Sequence, residues 1–223
     1  MKYAVASVLL ALTVAGPASA EMRNLTGFTE VQAQDNIVVE VRIGPQYSVE
    51  VTGPEANRIN TRIERDQLKI NERNRPWFGP DRRVNALVRV TAPALSSLAA
   101  AKGATLTAFD IAADDMSLAA AMGGELRVNG TCHSVDVAAA MGGIVRAEGF
   151  HCVSADISAA MGGEARVFAT RTFDATAAMG GTVNIAGGAH GDTTAVMGGA
   201  VRIADGGKSD SSTAVMGGEV THD

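Results

Sequence analysis

The sequence predicts an all-β fold, a single-stranded, right-handed parallel β-helix (β-solenoid) of about seven rungs of 18–20 residues, capped by an N-terminal β-strand region. The first observation behind this is the tripeptide Met-Gly-Gly, whose copies in the C-terminal half are 18 to 20 residues apart. Such a period is typical of a solenoid, in which one supersecondary unit stacks on its copy. The second is the alternation of apolar and polar residues, which indicates strands with one buried face. The copies begin at Met122, Met141, Met161, Met179, Met197 and Met216.

Residues 1–20 have the pattern of a secretory signal peptide. Lys2 precedes an apolar run over residues 4–15, and the small residues Ala18, Ser19 and Ala20 form a cleavage site. A retained membrane anchor is the alternative, although the run is short for a bilayer. We expect a mature protein that begins near Glu21, has no further membrane span, and is periplasmic, exposed at the cell surface or secreted.

The charge distribution argues against nucleic acid as a partner. The chain has a net charge of −5, and residues 94–223 hold seven basic against fourteen acidic residues. Nucleic-acid-binding domains instead carry a basic patch or stripe. The sequence does not identify the partner, and a glycan or another envelope protein is the expectation.

Two regions follow the signal peptide. Residues 21–93 contain short β-branched runs of period two, such as Val39-x-Val41-x-Ile43, bounded by turn residues such as Gly44-Pro45. They form an N-terminal β-strand region that we expect to be continuous with the solenoid. Residues 94–223 form the Met-Gly-Gly repeat, with Lys102-Gly103 as a degenerate first copy.

Each repeat predicts a strand, a Gly-Gly corner, a second strand and a loop of variable length. Every second residue before and after each Met is small or aliphatic. Because alternate residues of a strand face the same side, these residues and the Met itself are predicted to face inward. The six methionines would then form an internal ladder that packs in the core, and the alternative role for such a column is the binding of a soft metal ion such as Cu(I). The opposite parity faces solvent, and it carries a column of aspartates five residues before Met and a column of arginines five residues after it.

The aspartate column is the most suggestive constellation. Carboxylates stacked at strand spacing repel each other, so a divalent cation such as calcium would stabilise them. The alternative is a solubilising surface, because each rung offers a single Asp. The calcium candidates are Asp136, Asp156, Asp174 and Asp192.

A loop rich in Pro, Gly and Arg interrupts the N-terminal strands. It holds four arginines and the only tryptophan of the chain, and Arg and aromatic residues are favoured at binding hot spots. The alternative is that Trp77 and Phe78 fold back and cap the solenoid. The candidate contact residues are Arg73, Arg75, Trp77, Phe78, Arg82 and Arg83.

The two cysteines occupy nearly equivalent points of neighbouring repeats. Cys132 lies ten residues after Met122, and Cys152 lies eleven after Met141. Stacked rungs place such Cα atoms about 4.8 Å apart, within the range of a disulfide. An exported protein meets an oxidising compartment, which predicts a bond; free buried thiols are the alternative.

Several motifs resemble a known bacterial family. They are Phe28-x-x-Val31, Val39-x-Val41-x-Ile43-Gly44, Tyr47-x-Val49-x-Val51, Leu68-x-Ile70, Val88-x-Val90-x-Ala92-Pro93-x-Leu95-x-x-Leu98 and Gly103-Ala104. The chain resembles the head-GIN-domain proteins, a family of putative auto-transporter adhesins, over essentially its whole mature length. The resemblance implies a β-solenoid of the bacterial envelope and supplies no catalytic residue.

The sequence therefore predicts a non-catalytic adhesive, binding or structural module of the cell envelope, with no cofactor. No triad order, phosphate loop or metal-ligand spacing of histidines accompanies the columns. The alternative is a polysaccharide-acting β-helix enzyme, or a lectin-like protein that binds acidic glycans along the arginine column.

Overall fold

The computed structural model describes residues 20–73 and 83–222, and over these residues the chain forms a parallel β-solenoid of about seven turns. The predicted signal peptide lies, apart from Ala20, outside the described residues. Within the described ranges, no helix is long and apolar enough to cross a membrane. One short 3-10 helix covers Ala56–Arg58. The strands are β1 (Glu21–Arg23), β2 (Glu30–Ala33), β3 (Val38–Ile43), β4 (Ser48–Thr52), β5 (Ile59–Glu64), β6 (Gln67–Glu72), β7 (Leu87–Ala92), β8 (Ser97–Ala101), β9 (Thr105–Ala121), β10 (Glu125–Ala140), β11 (Ile144–Ala160), β12 (Glu164–Ala178), β13 (Thr182–Ala186), β14 (His190–Val196), β15 (Ala200–Ile203), β16 (Lys208–Val215) and β17 (Glu219–His222).

The rungs stack into two walls that meet at two corners. The first wall contains the strands that lead into the Met-Gly-Gly turns, in the spatial order β5, β6, β2, β8, the C-terminal halves of β9 to β12, β14 and β16. The second wall contains the strands that leave those turns, in the order β1, β4, β7, β3, the N-terminal halves of β9 to β12, β13, β15 and β17. Neighbours run parallel except at the N-terminal end, where β1, β4 and β5 pair antiparallel.

The N-terminal strands belong to the same two walls as the repeat, but their order in space differs from their order in the chain. Strand β2 lies between β6 and β8, and β3 lies between β7 and β9. The rung formed by β6 and β7 is therefore the outermost parallel rung at this end, although it follows β2 and β3 in sequence. The antiparallel strands cover this end of the solenoid.

The core follows the predicted alternation. The apolar residue four positions after each Met is fully buried in five successive rungs: Leu126, Val145, Ala165, Val183 and Val201. The residues two and four positions before each Met are also buried, up to and including Thr193 and Ala195 in the rung before Met197. In the last rung Ser212 and Ala214 are exposed, because β16 is the edge strand of the first wall among the described residues.

The prediction that the methionines point into the core is wrong. The ladder side chains are 46–50% exposed at the first five positions and 77% exposed at Met216. Each Met has a φ between +48° and +52°, and the glycine after it has a φ between +72° and +80°. The amide of the second glycine donates a hydrogen bond to the carbonyl of the residue before Met, as from Gly143 to Ala140 at 2.9 Å. These are the features of a type I′ turn. The strand ends at the residue before Met, so counting in twos no longer applies there.

The two glycines of each turn have different roles. At Gly162 the φ is +74° and an added Cβ would meet nothing within 4 Å. At Gly163 an added Cβ would lie 2.2 Å from the carbonyl oxygen of Ala139 in the rung below. The first glycine therefore supplies the left-handed backbone conformation, whereas the second allows close approach of two backbones.

At the opposite corner the predicted loop is absent from four rungs. Strands β9 to β12 continue through this corner as strands of 15 to 17 residues, because pairing with the neighbouring rung persists there, as between Thr131 and His151. At this corner Cys132 and Cys152 are paired in register with Cα atoms 4.5 Å apart, and their sulfurs are bonded.

Replacement of the two glycines of one turn should have unequal effects on stability. Gly163→Ala should lower the free energy of unfolding by roughly 3 kcal/mol or more, since two backbones must separate. Gly162→Ala is the matched control and should cost about 1–2 kcal/mol, the price of a left-handed alanine. Urea denaturation of both variants measures the difference. Equal destabilisation would contradict the close approach at Gly163.

The disulfide should form in protein purified from an oxidising compartment. Protein denatured without reductant should then take up no alkylating label, and its intact mass should be lower than the reduced mass by two hydrogens. The bond closes a loop of 20 residues in sequence separation, so replacement of both cysteines by alanine should cost about 3 kcal/mol. Two labelled thiols in the denatured, unreduced protein would contradict this expectation.

Candidate functional site

The outer surface of the solenoid presents three columns of repeated side chains. We call them the Asp column on the first wall, the Met ladder at the corner, and the Arg column on the second wall. The Asp column is Asp136, Asp156, Asp174 and Asp192; the Met ladder is Met122, Met141, Met161, Met179, Met197 and Met216; and the Arg column is Arg127, Arg146, Arg166, Asn184 and Arg202.

The Asp column is in register and exposed. Asp156 pairs with Asp136 on one side and Asp174 on the other. Partial burial raises the pKa of Asp156, and the negative charges of Asp174 and Asp136 raise it further. Among the residues with described positions, no group of three or more His, Cys, Asp or Glu side chains could hold a metal ion. Calcium binding by this column stays a prediction.

The Arg column is largely neutralised by glutamates on the same wall. Glu125 accepts from Arg127 at 2.6 Å and from Arg146 at 2.9 Å. Glu164 accepts from Arg166 at 2.6 Å, and Glu148 lies 3.7 Å from the same guanidinium. The hydrogen bond to Glu164 is the largest cause of a raised pKa at Arg166, which therefore remains a cation.

The neutralisation stops toward the C-terminal end of the column. Asn184 takes the place of an arginine, and for the exposed Arg202 no described carboxylate lies within ion-pair distance. Here the wall forms an open cleft of about 550 Å³. Its polar lining is Glu148, Glu164, Arg166, Thr182, Asn184 and Arg202.

The arginine-rich loop connects β6 in the first wall to β7 in the second. Arg73 and Arg83 are exposed at its two ends, and the Arg73 amide donates to the Arg58 carbonyl at 2.6 Å. The remaining candidates, Arg75, Trp77, Phe78 and Arg82, lie outside the described residues. Their role as contact surface or cap stays a prediction.

Sequence reasoning missed two features of this surface. It placed the Met ladder inside, although the Gly-Gly that follows each Met was the available signal for a turn with left-handed residues. It also missed the cleft, because Glu148 comes from the corner that was predicted to be a loop. Two histidines of that corner have local partners: His151 stacks on Phe168 with ring centroids 4.3 Å apart, and His190 Nδ1 lies 2.8 Å from Asp210.

The Asp column should destabilise the fold at neutral pH. A raised pKa means that the folded state binds a proton more readily than the unfolded state, so stability falls as the pH rises from the ordinary carboxyl range through the raised value. Asp156→Asn should therefore increase the unfolding free energy at pH 7 by about 0.2–1 kcal/mol, and the gain should vanish in acid. Asp192→Asn, with a single aspartate neighbour in the column, is the control and should gain less. A loss of stability in Asp156→Asn at pH 7, measured by thermal unfolding, would contradict this.

Comparison with solved structures finds the same fold in several bacterial proteins. A putative adhesin from Bacteroides fragilis NCTC 9343 superposes with a TM-score of 0.66 and 11% identity, covering 93% of this chain and 98% of that one. A putative adhesin from Parabacteroides merdae ATCC 43184 superposes with a TM-score of 0.56 and 13% identity, covering 93% and 97%. Comparison with curated protein sequences finds no match. The model of one family, described as putative auto-transporter adhesin, head GIN domain, matches residues 27–189. That match covers well over half of the chain, so the chain belongs to this head-GIN-domain family.

Proposed function

We propose that the protein is a non-catalytic, exported binding module of the cell envelope that contacts its partner through the outer walls of the solenoid. The observation that carries the proposal is the register of the walls, which sets chemically equivalent side chains side by side in successive rungs. A wall of this kind matches a partner that itself repeats, because each rung offers the next unit the same groups. Membership of a putative adhesin family supports the same reading.

The ionic state of the wall favours binding over catalysis. A general acid must hold a proton near neutral pH, usually through burial or a like-charged neighbour. The glutamates Glu125, Glu148 and Glu164 instead form ion pairs with arginines of the second wall. The Asp column lies on the other wall, so the two columns do not converge on one substrate bond.

The N-terminal pattern of a signal peptide supports export, as does the pair of cysteines placed in register for a disulfide. Disulfides persist in compartments outside the cytoplasm. Export would bring the walls into contact with surface polymers, which are common ligands of adhesive proteins.

A lectin-like affinity for acidic glycans is the second candidate, and the cleft between Arg166 and Arg202 favours it. Guanidinium groups bind carboxylates in bidentate geometry. Arg202 has no described carboxylate within ion-pair distance, so it is available to an acidic sugar without first breaking an ion pair. The amide of Asn184 lines the same cleft and offers both donors and an acceptor to sugar hydroxyls.

Both candidates can be tested on a glycan array with the mature chain. We expect binding to acidic glycans that weakens with salt, since exposed charges are screened. Arg202→Glu should abolish this binding. The matched control is Arg171→Glu, which makes the same charge change at an exposed arginine outside the cleft and should leave binding intact.

The outcomes separate the functions. Equal loss in both variants would show a non-specific charge effect and contradict the cleft. Salt-resistant binding to neutral glycans or to envelope protein would favour the general binding module over the acidic-glycan candidate. Release of unsaturated sugar products from an acidic polysaccharide would contradict the non-catalytic proposal.

A further inference from the structure

The Met ladder brings six thioethers into one exposed row. Successive turns are joined by backbone hydrogen bonds, as from the Gly123 amide to the Met141 carbonyl and from the Gly142 amide to the Met161 carbonyl, each 3.3 Å long. Equivalent atoms of neighbouring turns therefore lie about 4.8 Å apart, the spacing of paired strands. The first five side chains are exposed to nearly the same extent, 46–50%, so they share one environment.

Neither the turn nor the core requires methionine at these positions. Type I′ turns favour Asn, Asp and Gly, whose left-handed conformation costs little. The chain uses such residues where other turns need the same backbone, with Asp35-Asn36 in the second rung and Asp205-Gly206 at the opposite corner. The degenerate repeat has Lys102 in the same conformation. Half-exposed side chains also contribute less to the core than buried ones, so the repeated thioether needs another explanation.

We propose that the Met ladder binds a soft monovalent cation of the Cu(I) or Ag(I) type between the sulfurs of adjacent rungs. Thioethers are soft ligands that select Cu(I) over hard cations such as calcium and magnesium. Zinc–sulfur bonds in proteins are about 2.3 Å long, and on that scale a Cu(I) ion with one sulfur on each side spans roughly 4.6 Å. That span matches the rung spacing of about 4.8 Å, and two-coordinate, near-linear geometry is common for these ions.

The surroundings of the ladder favour the same class of ion. The residue before each Met is apolar in every repeat: Ala121, Ala140, Ala160, Ala178, Val196 and Val215. The two residues after each Met are glycines, which add no side chain. Hard cations prefer oxygen ligands, and none of the four turn residues, from the residue before each Met to the second glycine, carries a carboxylate. The six sulfurs form three adjacent pairs with no sulfur in common, so the ladder can hold three ions.

The first experiment titrates the mature, disulfide-bonded chain with Ag(I) in chloride-free buffer and follows the methionine methyl groups by NMR. Ag(I) needs no reductant, so the cysteines stay oxidised. The ladder methyl signals should shift together and saturate near one ion per two sulfurs. Met116 is 2% exposed and Met22 lies on β1 at the far end, and both should stay unchanged as internal controls.

The second experiment tests whether binding requires methionines on adjacent rungs or depends only on the number of methionines. An alternating variant, Met141→Leu, Met179→Leu and Met216→Leu, leaves three methionines with no Met neighbour. A block variant, Met122→Leu, Met141→Leu and Met161→Leu, leaves three contiguous methionines. Both variants carry three leucines, which are close to methionine in volume. The block variant should keep the methyl shifts, and the alternating variant should bind Ag(I) about tenfold more weakly or worse.

Each outcome decides the proposal. Equal binding by the two variants would overturn it, because pairing of adjacent sulfurs would then be irrelevant. Absence of ladder shifts in the unchanged protein would also overturn it, and would leave the ladder as an apolar ridge. Shifts of Met22 as large as those of the ladder would reduce the effect to non-specific thioether binding. Because the titration of the unchanged protein decides the matter by itself, misfolding of a variant does not remove the test.

Discussion

The structure depends on the backbone hydrogen bonds that join each rung to the next. A single rung has two short strands and cannot bury its apolar face or pair its own amides. Parallel pairing in register solves both problems at once, because it pairs the backbone and stacks identical side chains. The walls continue without interruption from the N-terminal rungs to β16 and β17. Every surface column described above is a consequence of that register.

The same constraint fixes the Met-Gly-Gly sequence at the corner. The chain must reverse from one wall to the other in two residues without leaving the stack. The type I′ turn does so, with the Met and the first glycine both left-handed, and the second glycine lies so close to the rung below that no side chain fits there. The turn geometry does not dictate which side chain stands at the Met position, since that side chain points to solvent. Methionine nevertheless recurs at this position in six turns, and this recurrence makes the Met ladder a candidate for function.

Register also determines the electrostatics of the walls. On the second wall, arginines pair with glutamates of the same rung and of the neighbouring rung, so most of the charge is neutralised locally. On the first wall, partial burial raises the pKa of Asp156, and the stacked carboxylates of Asp174 and Asp136 raise it further. Where the arginine pattern changes at Asn184, no described carboxylate lies within ion-pair distance of Arg202, the next arginine of the column, and a cleft opens. The candidate binding surface thus arises at an irregularity of the repeat.

The sequence by itself determined the fold class, the period, the buried parity of the strands and the alignment of Cys132 with Cys152. These features depend on local alternation and on a fixed repeat length, both of which can be read along the chain. The structure corrected the direction of the methionines, because a turn of left-handed residues, which Gly-Gly signals locally, interrupts the alternation at the Met. It also decided that β6 and β7 lie outside β2 and β3, since pairing partners across about forty residues leave no local pattern. The cleft could not be predicted for the same reason: Glu148, Arg166 and Arg202 come from different rungs, and their proximity is set by stacking.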